Sequence, residues 1–109
     1  VTRHSALNDE TRDFVTAKEL ALMKRSSIIV NAARGPVVNA QDLSDALKEG
    51  RISGAALDVY DVEPPLDSNN PMLDAPNTIL LPHIGFATKE AFELRLGIVV
   101  NNVEQFCKQ

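Results

Sequence analysis

Ile28-Ile29-Val30-Asn31-Ala32-Ala33-Arg34-Gly35 is the stretch that decides the fold. It opens on a continuous run of β-branched apolar residues, the pattern of a strand covered on both faces, as in a parallel sheet. The reading is a strand from Ser27 to Ala33 that runs out into an arginine and a glycine. Upstream, Thr16-Ala17-Lys18-Glu19 is a capping box, in which a hydroxyl and a carboxylate satisfy the free amides of a helix start. A short helix then follows through Leu20 and Met23 and ends near Lys24. Downstream, Asn39 caps a second helix with Leu43, Ala46 and Leu47 on its inner face and Gly50 as its stop. A second strand spans Ile52 to Tyr60, where Gly54, Ala55 and Ala56 allow close helix approach. A third spans Thr78 to His83. Thr88 caps a long helix to about Lys108, with Phe92, Leu96, Val99, Val103 and Phe106 at steps of three and four. Helices alternating with strands imply right-handed crossovers and a parallel sheet, an α/β fold. The one long irregular segment, Asp61 to Pro76, carries Pro64, Pro65, Pro71 and Pro76. Loops of that length in a compact domain are usually functional or disordered.

Composition narrows the function. The chain has 109 residues with 11 basic and 15 acidic side chains, a net charge of −4, which disfavours binding to nucleic acid. Aromatic residues are 5% with no Trp, so stacking platforms for bases are not expected. A single cysteine, Cys107, excludes an internal disulfide framework and a multi-cysteine metal site, and its expected role is packing. No apolar run is long enough to span a membrane and no signal peptide opens the chain, so the expected compartment is the cytoplasm. The chain opens on Val1, which reads as a piece of a longer protein.

In an open parallel sheet, ligands bind beyond the carboxyl ends of the strands. The three expected strands run out into Arg34-Gly35, into Asp58 to Glu63, and into Pro82-His83-Ile84-Gly85. One edge therefore collects an arginine, carboxylates and a histidine. Arg34 offers a planar fork for a carboxylate or phosphate, and Gly35 lets the backbone turn away. His83 is suited to moving a proton near neutral pH, and Glu63 beside it would fix the ring's orientation. Asp58, at a strand end, is placed to hydrogen-bond a ligand amide or hydroxyl. Tyr60 and Phe86 read as packing or pocket walls, and His4 as structural or a backbone contact. The combination suits reduction of a carbonyl beside a carboxylate, with the histidine protonating the new alkoxide oxygen.

Three motifs in order carry a family resemblance over nearly the whole chain: Ile29 to Gly35 with Val37-Val38; Gly54 to Tyr60 followed by Glu63-Pro64; and Leu81 to Gly85 with Ala87-Thr88. The sequence resembles the D-isomer-specific 2-hydroxyacid dehydrogenases. The resemblance implies a partial Rossmann-like parallel sheet with flanking helices. It implies catalytic roles for Arg34 (substrate carboxylate), His83 (general acid/base) and Glu63 (its carboxylate partner). It further implies that Asp58 contacts the nicotinamide carboxamide, that Ala32, Ala33 and Gly85 line the nicotinamide site, and that His4 to Leu7 lie near the adenosine half. Family members commonly have a proline where this chain has Ala6. The cofactor implied is NAD, with NADP as the alternative, and the substrate a small 2-oxo or 2-hydroxy acid. The parent protein would be a homodimer.

The Gly-rich phosphate turn G-x-G-x-x-G is absent, as is the residue that separates NAD from NADP. The expectation is the second half of a nucleotide-binding domain, inactive by itself, with the apolar face of its last helix partly exposed. Two alternatives stand beside the dehydrogenase reading. One is a nucleotide-sensing regulator without turnover; the other is a phosphite- or formate-type oxidoreductase, of which Glu63 argues against the formate type.

Overall fold

The computed structural model describes residues 1–64 and 66–108, apart from the side chain of Arg3; Pro65, one of the loop prolines, lies outside the described residues. The element order is β1 (Thr2–Arg3), α1 (Ala17–Ala21), β2 (Ile28–Asn31), α2 (Ala40–Lys48), β3 (Gly54–Leu57), β4 (Thr78–Leu80) and α3 (Lys89–Cys107). Single 3-10 turns occupy Gly35–Val37 and Pro71–Asp74. The strands form one parallel sheet in the order β1-β2-β3-β4. Ile28 pairs with Gly54, Asn31 with Leu57, and Leu57 with Leu80, which brings the carboxyl ends of β2, β3 and β4 to one level.

The capping signals stand where the sequence places them. The Thr16 hydroxyl accepts from the Lys18 amide while Glu19 accepts from the Thr16 amide at 2.9 Å. Asn39 accepts from the Asp42 amide to start α2, and Gly50, at φ +64°, follows its end in the left-handed region open to glycine. Thr88 caps α3 through the Ala91 amide at 3.2 Å.

β2, β3 and β4 are shorter than the sequence reading, and β2 and β4 stop for local reasons. β2 stops at Asn31 because its buried amide turns the chain: Nδ2 donates to the Arg34 carbonyl at 2.9 Å and Oδ1 accepts from the Ala33 amide at 3.1 Å. β4 ends at Leu80; the Leu81 amide still reaches the Leu57 carbonyl at 2.8 Å, and Pro82 after it has no amide hydrogen to continue the ladder. β1 went unread because Thr2-Arg3 shows no apolar run; its pairing with Val30 and Asn31 makes it a strand.

The core sits on one face of the sheet. Leu20, Ile29, Leu43 and Met72 are fully buried there, with Ala55 and Leu57 beneath α2. The opposite face is open: Ile28 and Ile79 are exposed and Val30 and Ala56 only partly covered. This corrects the expectation of a strand covered on both sides. Strands added in sequence order by crossovers of one hand place their helices on the same face, so α1 and α2 share a side. The third helix does not fold back. α3 buries no residue and extends a molecule measuring 60 × 26 × 26 Å. Phe92, Leu96, Val99, Val103 and Phe106 are all exposed, as the sequence led one to expect, but Cys107 is exposed too rather than packed. Among the described residues no helix is long and apolar enough to cross a membrane.

Candidate active site

The segment after β2 is held rigidly. Asn31 fixes the backbone at Ala33 and Arg34 as described above, and the Arg34 Nη1 donates to the Ala33 carbonyl at 2.6 Å. Gly35 serves close approach more than turning. A Cβ there would lie 2.0 Å from the Tyr60 carbonyl carbon and 2.5 Å from the Asp61 nitrogen, so no side chain fits between the two segments. Apart from its own neighbour's carbonyl, the exposed Arg34 guanidinium has no partner among the described residues, and no carboxylate there pairs with it.

The segment after β3 carries two carboxylates with different surroundings. Asp58 is buried, and its oxygens accept from the Ile84 amide at 2.8 Å and the Gly85 amide at 2.7 Å. It clamps the turn that follows β4 onto the end of β3. Each carboxylate oxygen has a second lone pair, so the clamp leaves capacity for a ligand amide. Glu63 accepts from the Tyr60 amide through Oε1, which anchors the carboxylate, and presents Oε2 to His83. The Tyr60 hydroxyl donates to the Leu81 carbonyl at 3.0 Å, tying the same two segments together. Burial first, and then the charges of Asp58 and Glu63, push the phenol above its ordinary range, so it stays a donor.

His83 stands in this frame at φ 56°, left-handed backbone that a non-glycine residue adopts at a cost of about 1–2 kcal/mol. The Asp58 clamp on the next two amides and the Glu63 contact on its ring hold it there. Nδ1 lies 2.5 Å from Glu63 Oε2. With Nδ1–H committed to the carboxylate, Nε2 is the nitrogen left for proton transfer, and no described residue partners it. The ring meets Phe86 edge-on at 6.2 Å between centroids.

These segments enclose a cleft of about 540 Å³ lined by His4, Ala32, Arg34, Asp58, His83, Gly85, Phe86 and Arg95. All of these but Arg95 are singled out by the sequence, six as site residues and Phe86 as a pocket wall, and they converge on one opening. Ala33 lines a neighbouring cleft with His4 to Leu7 and Arg34, and Glu63 stands behind His83 in a third, largely apolar cleft of about 500 Å³. The surroundings suit a flat amide-bearing ring. Ala32 and Gly85 keep the wall low, and a Cβ on Gly85 would approach Asp58 Oδ2 to 2.8 Å, closing the space beside the carboxylate. The phosphate end of a dinucleotide has no cradle in these 109 residues, which lack the Gly-rich turn. Among the described residues no cluster of His, Cys, Asp and Glu could hold a metal.

Sequence reasoning missed Asn31 and Arg95. A polar residue closing an apolar strand was the available signal for Asn31; Arg95 lies inside a helical pattern and gave none. Arg95 reaches the cleft from α3, its guanidinium 5.0 Å from the centre of the Phe86 ring.

Comparison with known proteins adds an independent line. Residues 1–85 match the family described as D-isomer specific 2-hydroxyacid dehydrogenase, NAD binding domain. A hydroxypyruvate reductase of Blautia hydrogenotrophica is 43% identical over 99% of this chain and 33% of its own length. A glycerate dehydrogenase of Methylorubrum extorquens is 43% identical over 97% of this chain and 34% of its own. The solved structure of a D-lactate dehydrogenase from Sporolactobacillus superposes with a TM-score of 0.89 at 36% identity, covering all of this chain and 36% of that one. The chain spans about a third of the length of these relatives.

Proposed function

The chain belongs to the NAD-binding domain of the D-isomer-specific 2-hydroxyacid dehydrogenases, and from that premise we propose that it forms the second half of such a domain in an oxidoreductase that interconverts a 2-oxo acid and its 2-hydroxy acid. The observation that carries the reading is His83, oriented by Glu63 from behind, lining the same cleft as an Arg34 guanidinium that no carboxylate among the described residues engages. Arg34 receives the substrate carboxylate through its fork of N–H donors. That contact orients the adjacent carbonyl toward His83. Nicotinamide, when bound, would supply or accept the hydride; Asp58 would hold its carboxamide, and Ala32 and Gly85 would leave room for its ring. His83 donates a proton from Nε2 to the carbonyl oxygen during reduction and takes it back in oxidation. Glu63 holds Nδ1–H and balances the charge of the protonated ring throughout. Ala33 and His4 extend the binding surface toward the adenosine half. We place the longer protein in the cytoplasm, in keeping with the one cysteine among these 109 residues, and, from the family resemblance, as a homodimer.

The test is oxidation of NADH and NADPH by the full-length protein against a panel of 2-oxo acids. Loss of the general acid costs about 10²–10⁴-fold in turnover, so His83→Ala lowers kcat by that order. Arg34→Ala removes charge-assisted bonds of about 1.5–3 kcal/mol and appears mainly as a raised KM. A His83→Ala protein with undiminished turnover overturns the assignment. Cofactor binding without turnover on any acid favours the regulator instead.

A further inference from the structure

We propose that Arg95 is a specificity-determining residue that selects substrates carrying a second anionic group beyond the carboxylate held by Arg34. The inference rests on the dehydrogenase reading above and names the substrate class of that site. The chain as a whole is acidic, at −4, yet the cleft is not. Arg34 and Arg95 both line it, and among the described residues neither guanidinium has a carboxylate within ion-pair distance. The carboxylates nearby are already engaged. Asp58 is matched by two backbone amides, and Glu63 by the Tyr60 amide and the His83 ring. Two unmatched guanidiniums in one concavity repel each other, and an anion bound by each relieves that repulsion.

The seating of Arg95 suits this role. Its guanidinium lies over the Phe86 ring, and Phe86 is braced edge-on by Phe92 at 6.1 Å and by His83. A guanidinium held by the face of a ring spends no N–H donor on that contact, and among the described residues no hydrogen bond or ion pair uses the Arg95 donors, so they remain free for a ligand. The same Phe86 touches the acid/base histidine and carries the second cation, so it sets the spacing between the reacting carbonyl and the second anionic group. A 2-oxo acid with a carboxylate or phosphate at its far end meets both requirements; one with an alkyl or hydroxymethyl end leaves Arg95 unmatched.

The experiment compares pyruvate and 2-oxobutyrate with oxaloacetate and 2-oxoglutarate as substrates of the full-length protein, and oxamate with tartronate as unreactive ligands measured calorimetrically in the presence of NADH. For wild type, kcat/KM is expected to favour the dianionic acids, with a KM that rises with ionic strength. Arg95→Met, which keeps an unbranched stem over Phe86, is expected to lower the dianion-to-monoanion ratio of kcat/KM at least tenfold; Arg95→Lys restores part of it. Arg34→Ala lowers both classes together. A ratio unmoved by Arg95→Met, or an equal loss on both classes, overturns the proposal. Should wild type reduce no 2-oxo acid, the dehydrogenase reading fails on its own, and the binding arm still decides. Tartronate weakened tenfold relative to oxamate in Arg95→Met upholds the second anion site, and equal affinities reject it.

Discussion

Asp58→Asn isolates what holds the acid/base histidine in place. In the native chain one carboxylate accepts two backbone amides, from Ile84 at 2.8 Å and Gly85 at 2.7 Å. Asparagine is nearly isosteric but keeps a single acceptor oxygen and places an NH₂ group against the other amide. One charge-assisted bond is lost, the second is reduced to a neutral one, and two donors face each other. Bonds to charged groups are worth about 1.5–3 kcal/mol and neutral ones about 0.5–1.5, so the clamp loses roughly 2–4 kcal/mol. That equals or exceeds the cost, about 1–2 kcal/mol, of holding His83 at its left-handed φ. The turn from His83 to Gly85 therefore relaxes. The body apart from α3 does not depend on this clamp, since its core lies under α1 and α2. Amide hydrogen exchange reads the loss directly: at 1.4 kcal/mol per factor of ten, Ile84 and Gly85 exchange about 30-fold to several hundred-fold faster, while Ile29 and Leu43 change little. In the full-length protein kcat falls with the displaced ring. Protection at Ile84 and Gly85 equal to wild type would refute the clamp, and a change in cofactor affinity alone would leave Asp58 as a ligand contact only.

Gly35→Ala and Gly50→Ala form a matched pair. The first drives a methyl into the Tyr60 backbone at 2.0 Å and is expected to cost about 3 kcal/mol or more, while the second meets nothing within 4 Å and costs about 1 kcal/mol for its positive φ; thermal denaturation that ranks them the other way refutes the close approach. Glu19 is held below its ordinary carboxylate range chiefly by the Thr16 hydroxyl and then by the Thr16 amide. A lowered folded pKa gives stability that is present above the unfolded value and lost as the pH falls through the folded one. Glu19→Ala should thus lower Tm at pH 7 and converge with wild type under acid conditions; a gap that persists there contradicts the capping box as its source. With Leu96, Val99 and Phe106 exposed on α3, these 109 residues alone are expected to self-associate. Sedimentation should show mass rising with concentration, and Leu96→Glu with Phe106→Glu should suppress it.

The amino-acid pattern was enough for the order of elements from α1 onward, their capping and the parallel sheet, because those depend on patterns a few residues long: a β-branched run, a hydroxyl three residues before a carboxylate, an asparagine before an apolar helix face. It also located Arg34, Asp58, Glu63 and His83 at strand exits, where a parallel sheet gathers ligand-binding groups. The remaining features arise from contacts between segments far apart in the chain. That one sheet face is open follows from both crossover helices lying on the same side, a property of chain path. That Asp58 clamps the His83 turn, with donor and acceptor 26 and 27 positions apart in sequence, follows from strand register. That Gly35 is needed for contact with Tyr60, and that Arg95 joins the cleft by stacking on Phe86, depend on how segments distant in sequence come together. A local pattern cannot encode such contacts, because their energy comes from a neighbour that the fold supplies.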